Sequence, residues 1–388
     1  MTHSSTVTNT LSLPPLSLYI HIPWCVQKCP YCDFNSHAQK GEIPHVQYVD
    51  ALLEDLANDL HWVQGRTLQS IFIGGGTPSL LDPKQMKRLL DQVKRLIPCR
   101  DDLEVTMEAN PGTVESGKFA LFQQAGVNRI SIGVQSFQED KLTILGRIHD
   151  HNEAINAAKQ ANTLGLKSFN IDLMHSLPQQ NVSDALVDLN QAIALNPPHL
   201  SWYQLTIEPN TQFHSKPPTI PDDDTLADIY EAGKQALTDA GYQQYEISAF
   251  SKPDYQCFHN LNYWRFGDYL GIGCGAHSKV TCLKTNSIVR HEKIKHPKGY
   301  LDCENQYIFR QWSTADEDLP LEFFMNRFRL TEPCPRQDFI DYTGLNESII
   351  RVQLEQAITK GLIEQSSTHW QVTPLGQRFL NELLNIFM

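Results

Sequence analysis

Cys25, Cys29 and Cys32 fall within eight residues of a 388-residue chain, spaced Cys-x-x-x-Cys-x-x-Cys. Three thiolates in one loop can hold three irons of a cubane cluster and leave the fourth open. Ordinary ferredoxin cubanes use four cysteines, so a three-cysteine loop implies an outside ligand. Two other readings compete with a cluster. One is a zinc site completed by His21 or His37, although zinc sites usually add a second cysteine pair, which the sequence lacks. The other is a set of three structural thiols. The remaining cysteines, Cys99, Cys257, Cys274, Cys282, Cys303 and Cys334, are dispersed, making nine in all. This odd, uneven set fits a reducing compartment, with one cluster or metal loop among scattered core and surface thiols, better than a disulfide framework.

A second group carries different chemistry. The run Cys257-Phe258-His259-Asn260-Leu261-Asn262-Tyr263-Trp264 sets an imidazole among aromatic rings. Haem binding requires an axial nitrogen and flat apolar surfaces for the macrocycle, and this run supplies both. The alternative is that His259 caps a loop while Tyr263 and Trp264 plug the mouth of a barrel. Cys257 is a weaker candidate ligand. The segment Leu270-Gly271-Ile272-Gly273-Cys274-Gly275-Ala276-His277 lets backbone pass close to a ligand, with His277 structural; His291 and His296, set among lysines, read as surface residues.

These groups need a scaffold, and the hydrophobic pattern provides one. Short runs rich in Ile, Val, Phe and Tyr predict buried strands at Leu18–Pro23, Ser70–Gly74, Leu103–Ala109, Asn128–Val134, Lys167–Leu173 and Leu200–Leu205. Helical periodicity fills the gaps, most clearly at His45–Val63, where Val49, Leu52, Leu53, Leu56 and Leu60 recur at three- and four-residue steps. Further helices are expected at Lys84–Leu96, Val114–Ala125, Asn152–Leu164, Ser183–Leu195 and Asp223–Ala240. The alternation predicts a parallel sheet, either doubly wound or closed as a barrel. Helices near Leu319–Arg329, Pro335–Tyr342 and Glu347–Lys360, then a turn, a strand at His369–Thr373 and a helix at Leu375–Phe387, give the order of a winged helix. The expected division is a disordered tail over 1–17, a barrel over 18–240, a linking region over 241–310 and a C-terminal α+β unit over 311–388.

The loop's position after the first strand, with Tyr19 six residues before Cys25, resembles the radical SAM superfamily. Further motifs narrow the resemblance: Gly74-Gly75-Gly76-Thr77-Pro78, Glu108-Ala109-Asn110-Pro111, Gly133-Val134-Gln135-Ser136, Arg147 twelve residues after Gln135, and Asp172-Leu173 followed by Pro178. Together they are similar to the branch containing oxygen-independent coproporphyrinogen III oxidase and its sister group, the haem chaperone HemW. The His-Asn-x-x-Tyr-Trp run resembles the HemW signature, and the match extends from Tyr19 to the C-terminal unit. The resemblance implies a partial (β/α)6 TIM-like barrel with a winged-helix-like domain, and a 4Fe-4S cluster on Cys25, Cys29 and Cys32 whose open iron chelates S-adenosylmethionine (SAM). In the superfamily one electron then cleaves SAM to methionine and a 5′-deoxyadenosyl radical.

It further implies a SAM site from Tyr19, Gly75, Gly76, Thr77, Glu108, Gln135, Arg147 and Asp172, and a haem site from His259, Tyr263 and Trp264. Chemistry agrees with those roles. Adjacent glycines admit close backbone, Glu108 and Asp172 can accept from ribose hydroxyls or an ammonium, and Arg147 can meet a carboxylate. Taken singly, each is more readily a turn, surface or N-cap residue; together, at strand ends and at the family's spacing, the functional reading prevails. The oxidase loop usually continues Cys-x-x-x-Cys-x-x-Cys-x-Cys, whereas position 34 here is Phe34, and seventeen Thr/Ser-rich residues are no substitute for the oxidase's longer N-terminal arm. The leading expectation is therefore a haem chaperone that passes its cargo to a haem-requiring acceptor, as a homodimer or by transient contact with membrane haem proteins. No catalytic residue is assigned, and whether SAM is cleaved stays open. The rival is coproporphyrinogen decarboxylation; a third reading is a zinc-binding interaction protein.

Composition sets outer limits. With 32 Lys and Arg against 44 Asp and Glu, the net charge of −12 argues against general affinity for nucleic acid or anionic membranes. Residues 1–17 contain neither a basic start nor an apolar run, so a signal peptide is not expected, nor an Arg-rich presequence. A cytoplasmic protein is expected.

Overall fold

The computed structural model describes residues 9–113 and 118–388. All six expected strands form: β1 (Leu16–Ile22), β2 (Leu68–Gly75), β3 (Cys99–Ala109), β4 (Arg129–Gln135), β5 (Ser168–His175) and β6 (His199–Gln204). They pair in parallel and in chain order. A doubly wound sheet reverses its strand order at a switch point. These six do not reverse, so the arrangement is the barrel type.

The crossovers are α1 (His45–Asp59), α2 (Pro83–Leu96), α3 (Lys118–Ala125), α4 (His151–Thr163) and α5 (Val182–Ala194). The first residues of the expected helix at Val114–Ala125 lie outside the described residues. Local chemistry sets the other starts: Asp150 with Glu153 and Asn181 with Asp184 form capping boxes, and Asp82 caps α2. In α1, Val49, Leu52 and Leu56 are fully buried against the sheet, as their spacing predicts. After α6 (Asp223–Asp239), β7 (Gln243–Glu246) and β8 (Ala249–Ser251) add antiparallel strands beside β6.

The other edge holds more than the sequence suggested. After α7 (Phe258–Trp264), β9 (Asp268–Ile272) joins β1 as a seventh parallel strand, and β10 (His277–Cys282), β11 (Ser287–Lys293) and β12 (Ile308–Ser313) continue as an antiparallel meander. Residues 243–313 thus extend one twelve-stranded sheet. His291, read as a surface residue, is buried on β11; burial lowers its pKa to about 4, leaving a neutral ring with neither nitrogen bonded. His296 is exposed and caps the helix Pro297–Asp302.

The C-terminal unit carries helices Leu319–Arg327, Arg336–Thr343 and Arg351–Thr359, then the hairpin Ile363–Gln365/His369–Val372, the expected helix-and-wing order. Its core is Phe323, Phe324, Phe339, Trp370 and Phe387. Among the described residues no helix is long and apolar enough to cross a membrane.

The tail expectation needs correction. Residues 1–8 lie outside the described residues, but from Asn9 the chain is fixed. Asn9 N–H donates to Gly344 O at 2.7 Å, Ser12 N–H to Asp341 O at 2.8 Å and Leu11 N–H to Asn286 Oδ1 at 2.8 Å. Leu11 enters the C-terminal core. Truncating this buried leucine (Leu11→Ala) is expected to cost about 2–3 kcal/mol. A lowered unfolding midpoint would show it; an unchanged midpoint would mean that the segment is not docked.

Candidate cluster and ligand site

At the C-terminal ends of the parallel strands, where barrel folds place their ligands, lies a cavity of about 290 Å³. Cys25, Cys29 and Cys32 all line it. Cys25 sits in a short ladder with Ala38, Cys32 N–H donates to Cys29 O at 3.2 Å, and burial pushes the Cys25 thiol above its ordinary pKa. Among the described residues, no three His, Cys, Asp or Glu side chains converge on a point as one metal ion requires. The two candidate zinc imidazoles are also committed: His21 Nε2 meets Asn35 O at 2.9 Å and His37 Nε2 meets Lys295 O at 3.2 Å. Three thiols spread around a cavity fit a cubane, in which each sulfur holds a different iron. They do not fit the zinc alternative.

The opposite wall comes from the strand ends. Gly76 N–H donates to Ile22 O at 2.8 Å and Thr77 N–H to Trp24 O at 2.7 Å, so the glycine turn lies directly against the start of the cysteine loop. A side chain at Gly76 would place Cβ 2.4 Å from Trp24 O, so only glycine permits the approach. Glu108 accepts from Gly75 N–H at 3.1 Å; burial first, then Asp172 nearby, pushes its pKa up to about 8. Asp172, raised chiefly by burial, accepts from Ser131 Oγ at 2.8 Å and Asn170 Nδ2 at 2.7 Å. The pair would welcome a cationic ligand. Arg147 donates to Cys29 Sγ at 3.5 Å, Gly133 O at 2.6 Å and Asn110 Oδ1, setting a guanidinium beside the cysteine loop. Gln135 holds φ at +70°, a conformation costly for a non-glycine residue, while its Oε1 accepts from Tyr203 at 2.7 Å. Ser131 and Tyr203, which no sequence motif singles out, complete the wall.

Tyr19 does not reach this cavity. It lines a second one, of about 380 Å³, with His259, Tyr263, Tyr269 and His277; Phe34, Gly75 and Glu108 line both. His277, expected to be structural, is therefore a wall residue. His259 is buried, and burial followed by the Arg129 charge lowers its pKa to about 3, so the ring is neutral. Ser70 Oγ donates to Ser17 Oγ at 2.8 Å and lies 3.1 Å from His259 Nδ1. With its own proton committed, Ser70 must accept from Nδ1–H, which leaves a lone pair on Nε2. Phe72 stacks on the imidazole at 4.9 Å and Tyr19 on Phe72 at 6.4 Å. Glu104 fixes the helix from below, accepting from His259 N–H at 3.1 Å and Phe258 N–H at 3.2 Å. Cys257 is fully buried and donates its thiol to Glu104 at 3.5 Å, not into the cavity. Trp264 also stands outside: it lies under Arg329, with the guanidinium 4.3 Å from its ring centre.

The model for the radical SAM superfamily matches residues 19–191, and that for the HemN C-terminal domain matches residues 315–379. The chain is 62% identical to the heme chaperone HemW of Escherichia coli (strain K12) over 378 residues, covering 97% of this chain and 99% of that protein. The chain belongs to the HemW family of radical SAM proteins. The heme chaperone HemW of Bacillus subtilis (strain 168) is 32% identical, with 96% of this chain and 99% of that one covered. Among solved structures, the coproporphyrinogen III oxidase HemN of Escherichia coli superposes with a TM-score of 0.81 at 24% identity, covering 97% of this chain and 90% of its own. That likeness establishes the α/β fold with its C-terminal domain. Radical SAM membership implies SAM and a 4Fe-4S cluster.

Proposed function

We propose that this protein is a cytoplasmic haem chaperone: it holds haem in the second cavity and delivers it to a haem-requiring acceptor protein. The observation that carries the reading is His259, a neutral imidazole whose Nδ1 is engaged by Ser70 and whose Nε2 has no protein partner among the described residues, on the wall of an aromatic cavity. Such a nitrogen is an iron ligand already held in the right tautomer. The names of the HemW relatives support the cargo.

The same proposal assigns the first cavity to the cluster and SAM. Cys25, Cys29 and Cys32 would hold the cluster, which supplies an open iron to chelate the amino and carboxyl groups of SAM. Gly75, Gly76 and Thr77 offer close backbone to the methionyl end. Arg147 meets its carboxylate, and Glu108 and Asp172 accept from its ammonium or ribose hydroxyls. Phe34, at the junction of the two cavities and 59% exposed, occupies the position of the oxidase's fourth cysteine. Occupancy of the first cavity, or dimerisation, would gate release.

Haem titration of the anaerobically reconstituted protein tests this reading through Soret absorbance. A saturable one-to-one spectrum is expected, with affinity at least about ten-fold weaker in His259→Ala, the loss that one coordinating contact represents. An unchanged spectrum in the variant would remove His259 from the site. Failure to bind haem, with coproporphyrinogen-dependent SAM cleavage and release of carbon dioxide, would make the protein a decarboxylase instead.

A further inference from the structure

We propose that the cavity between the barrel and the C-terminal unit is a carboxylate subsite, which takes the ionised side arms of a macrocycle seated beside His259. It rests on the haem reading above and adds where the cargo's propionates go. The cavity measures about 280 Å³; Lys279, Arg290, Arg329 and Trp264 line it, and Tyr263 and Tyr269 form the wall it shares with the second cavity. Three cations face it and no carboxylate does.

Lys279 is satisfied from behind, its Nζ donating to Phe266 O at 2.9 Å and Gly267 O at 3.4 Å as well as to a carboxylate. It therefore supplies charge but no unmatched donor, whereas Arg329 keeps one. Lys279 Nζ lies 3.1 Å from Asp268, Arg329 lies 3.4 Å from Glu246, and Arg290 pairs with Glu322. Asp268 also takes Arg66 at 2.7 Å, so four cations share three carboxylates. The indole Nε1 of Trp264 and Nε of Arg329 are buried donors without partners. Unmatched buried donors beside half-buried positive charge are costly alone and favourable around an anion.

The shared wall carries this polarity to the second cavity. Arg290 Nη1 donates to Tyr269 Oη at 3.2 Å, and the Tyr269 and Tyr263 hydroxyls lie 3.1 Å apart with rings stacked at 4.7 Å. Accepting from Arg290, Tyr269 can pass its own proton to Tyr263. The Tyr263 proton is then left to donate to a ligand oxygen. His259 and Tyr263 stand four residues apart on α7, hence on one face, so the ring that ligates iron and the hydroxyl that meets the side arm serve the same ligand.

The test compares haem with its dimethyl ester, in which the carboxylates are blocked, by Soret titration of the full-length wild type, Arg290→Gln and Tyr263→Phe. Wild type is expected to favour the free acid by about ten-fold, as one charge-assisted hydrogen bond provides. That preference should fall to within about two-fold in Arg290→Gln and weaken in Tyr263→Phe, which removes only a hydroxyl and guards against misfolding. The acid-to-ester ratio, unlike overall affinity, does not respond to a general loosening of the fold. Equal affinity of acid and ester for wild type, or a preference surviving both substitutions, overturns the subsite alone. Absence of saturable haem binding to wild type overturns the chaperone reading and the subsite together.

Discussion

Cys29→Ala is expected to abolish the iron–sulfur chromophore of the anaerobically reconstituted protein, and Cys25→Ala and Cys32→Ala are expected to do the same. All three thiols line one cavity, and each would hold a different iron of the cubane. Removing one leaves two irons without protein ligands, a number from which clusters degrade. Iron and sulfide analysis should fall from near four of each per chain to near zero, as expected for a cubane. Two controls separate ligands from bystanders. Cys274 is buried beside the cysteine loop, but its Sγ donates to Lys295 O at 2.9 Å, so Cys274→Ala should retain the cluster. His37, whose Nε2 bonds to a carbonyl, should likewise be dispensable. Iron retained in Cys32→Ala, or a colourless wild type with one zinc per chain lost in His37→Ala, would sink the assignment.

The cysteine loop was legible because its chemistry is local: three ligands within one turn of chain need no tertiary information. The six strands were legible for a related reason, since their outward faces are continuous apolar positions such as Phe169, Ile171 and Leu173. The inward faces were not read, because Ser70, Glu104, Ser131 and Asn170 look like interruptions until a barrel turns them toward one interior. The seventh parallel strand was hidden in a glycine-rich run. Gly273, at φ +103° and with space for a Cβ blocked 2.5 Å away by His21 O, lies against β1, a neighbour some 250 residues earlier in the sequence. The docking of the segment around Leu11 is equally non-local, since Asn9, Leu11 and Ser12 bond to residues 344, 286 and 341. Trp264 is different, and its displacement was readable. Five residues after His259 it stands about 140° round the helix, whereas Tyr263 at four stands within about 40°. Only the shared motif grouped all three.

Lys293→Met is expected to cost about 3–5 kcal/mol of stability, because it leaves two buried carboxylates without their cation. Lys293 Nζ lies 2.5 Å from Asp55 and 2.7 Å from Asp59, one turn apart on α1, and all three side chains are almost wholly buried. Asp55 also accepts from Tyr300 at 2.7 Å and from Gly273 N–H at 3.1 Å, so the cluster binds α1 to β11 and to the turn after β9. Beside it Tyr48 donates to His21 O at 2.7 Å, at the end of β1 where the cysteine loop begins. The cost therefore falls on the support of the cluster site as well as on the core. Burial and the neighbouring Asp59 already raise the Asp55 pKa, with Lys293 opposing them; burial works against the Lys293 charge, but Asp55 and Asp59 raise its pKa. Without the lysine the Asp55 pKa rises further in the folded state. A raised carboxyl pKa means that the folded state holds protons the unfolded chain has released. Its contribution is thus most favourable below the unfolded carboxylate pKa and is lost as pH rises through the folded value. The deficit of Lys293→Met should accordingly be larger at pH 8 than at pH 5, and adding Asp59→Asn should recover part of it at the higher pH. Unfolding midpoints of wild type, single and double variants at both values decide the matter. A deficit below about 1 kcal/mol, the scale of a surface ion pair, or one independent of pH, would mean that the triad does not carry the load assigned to it.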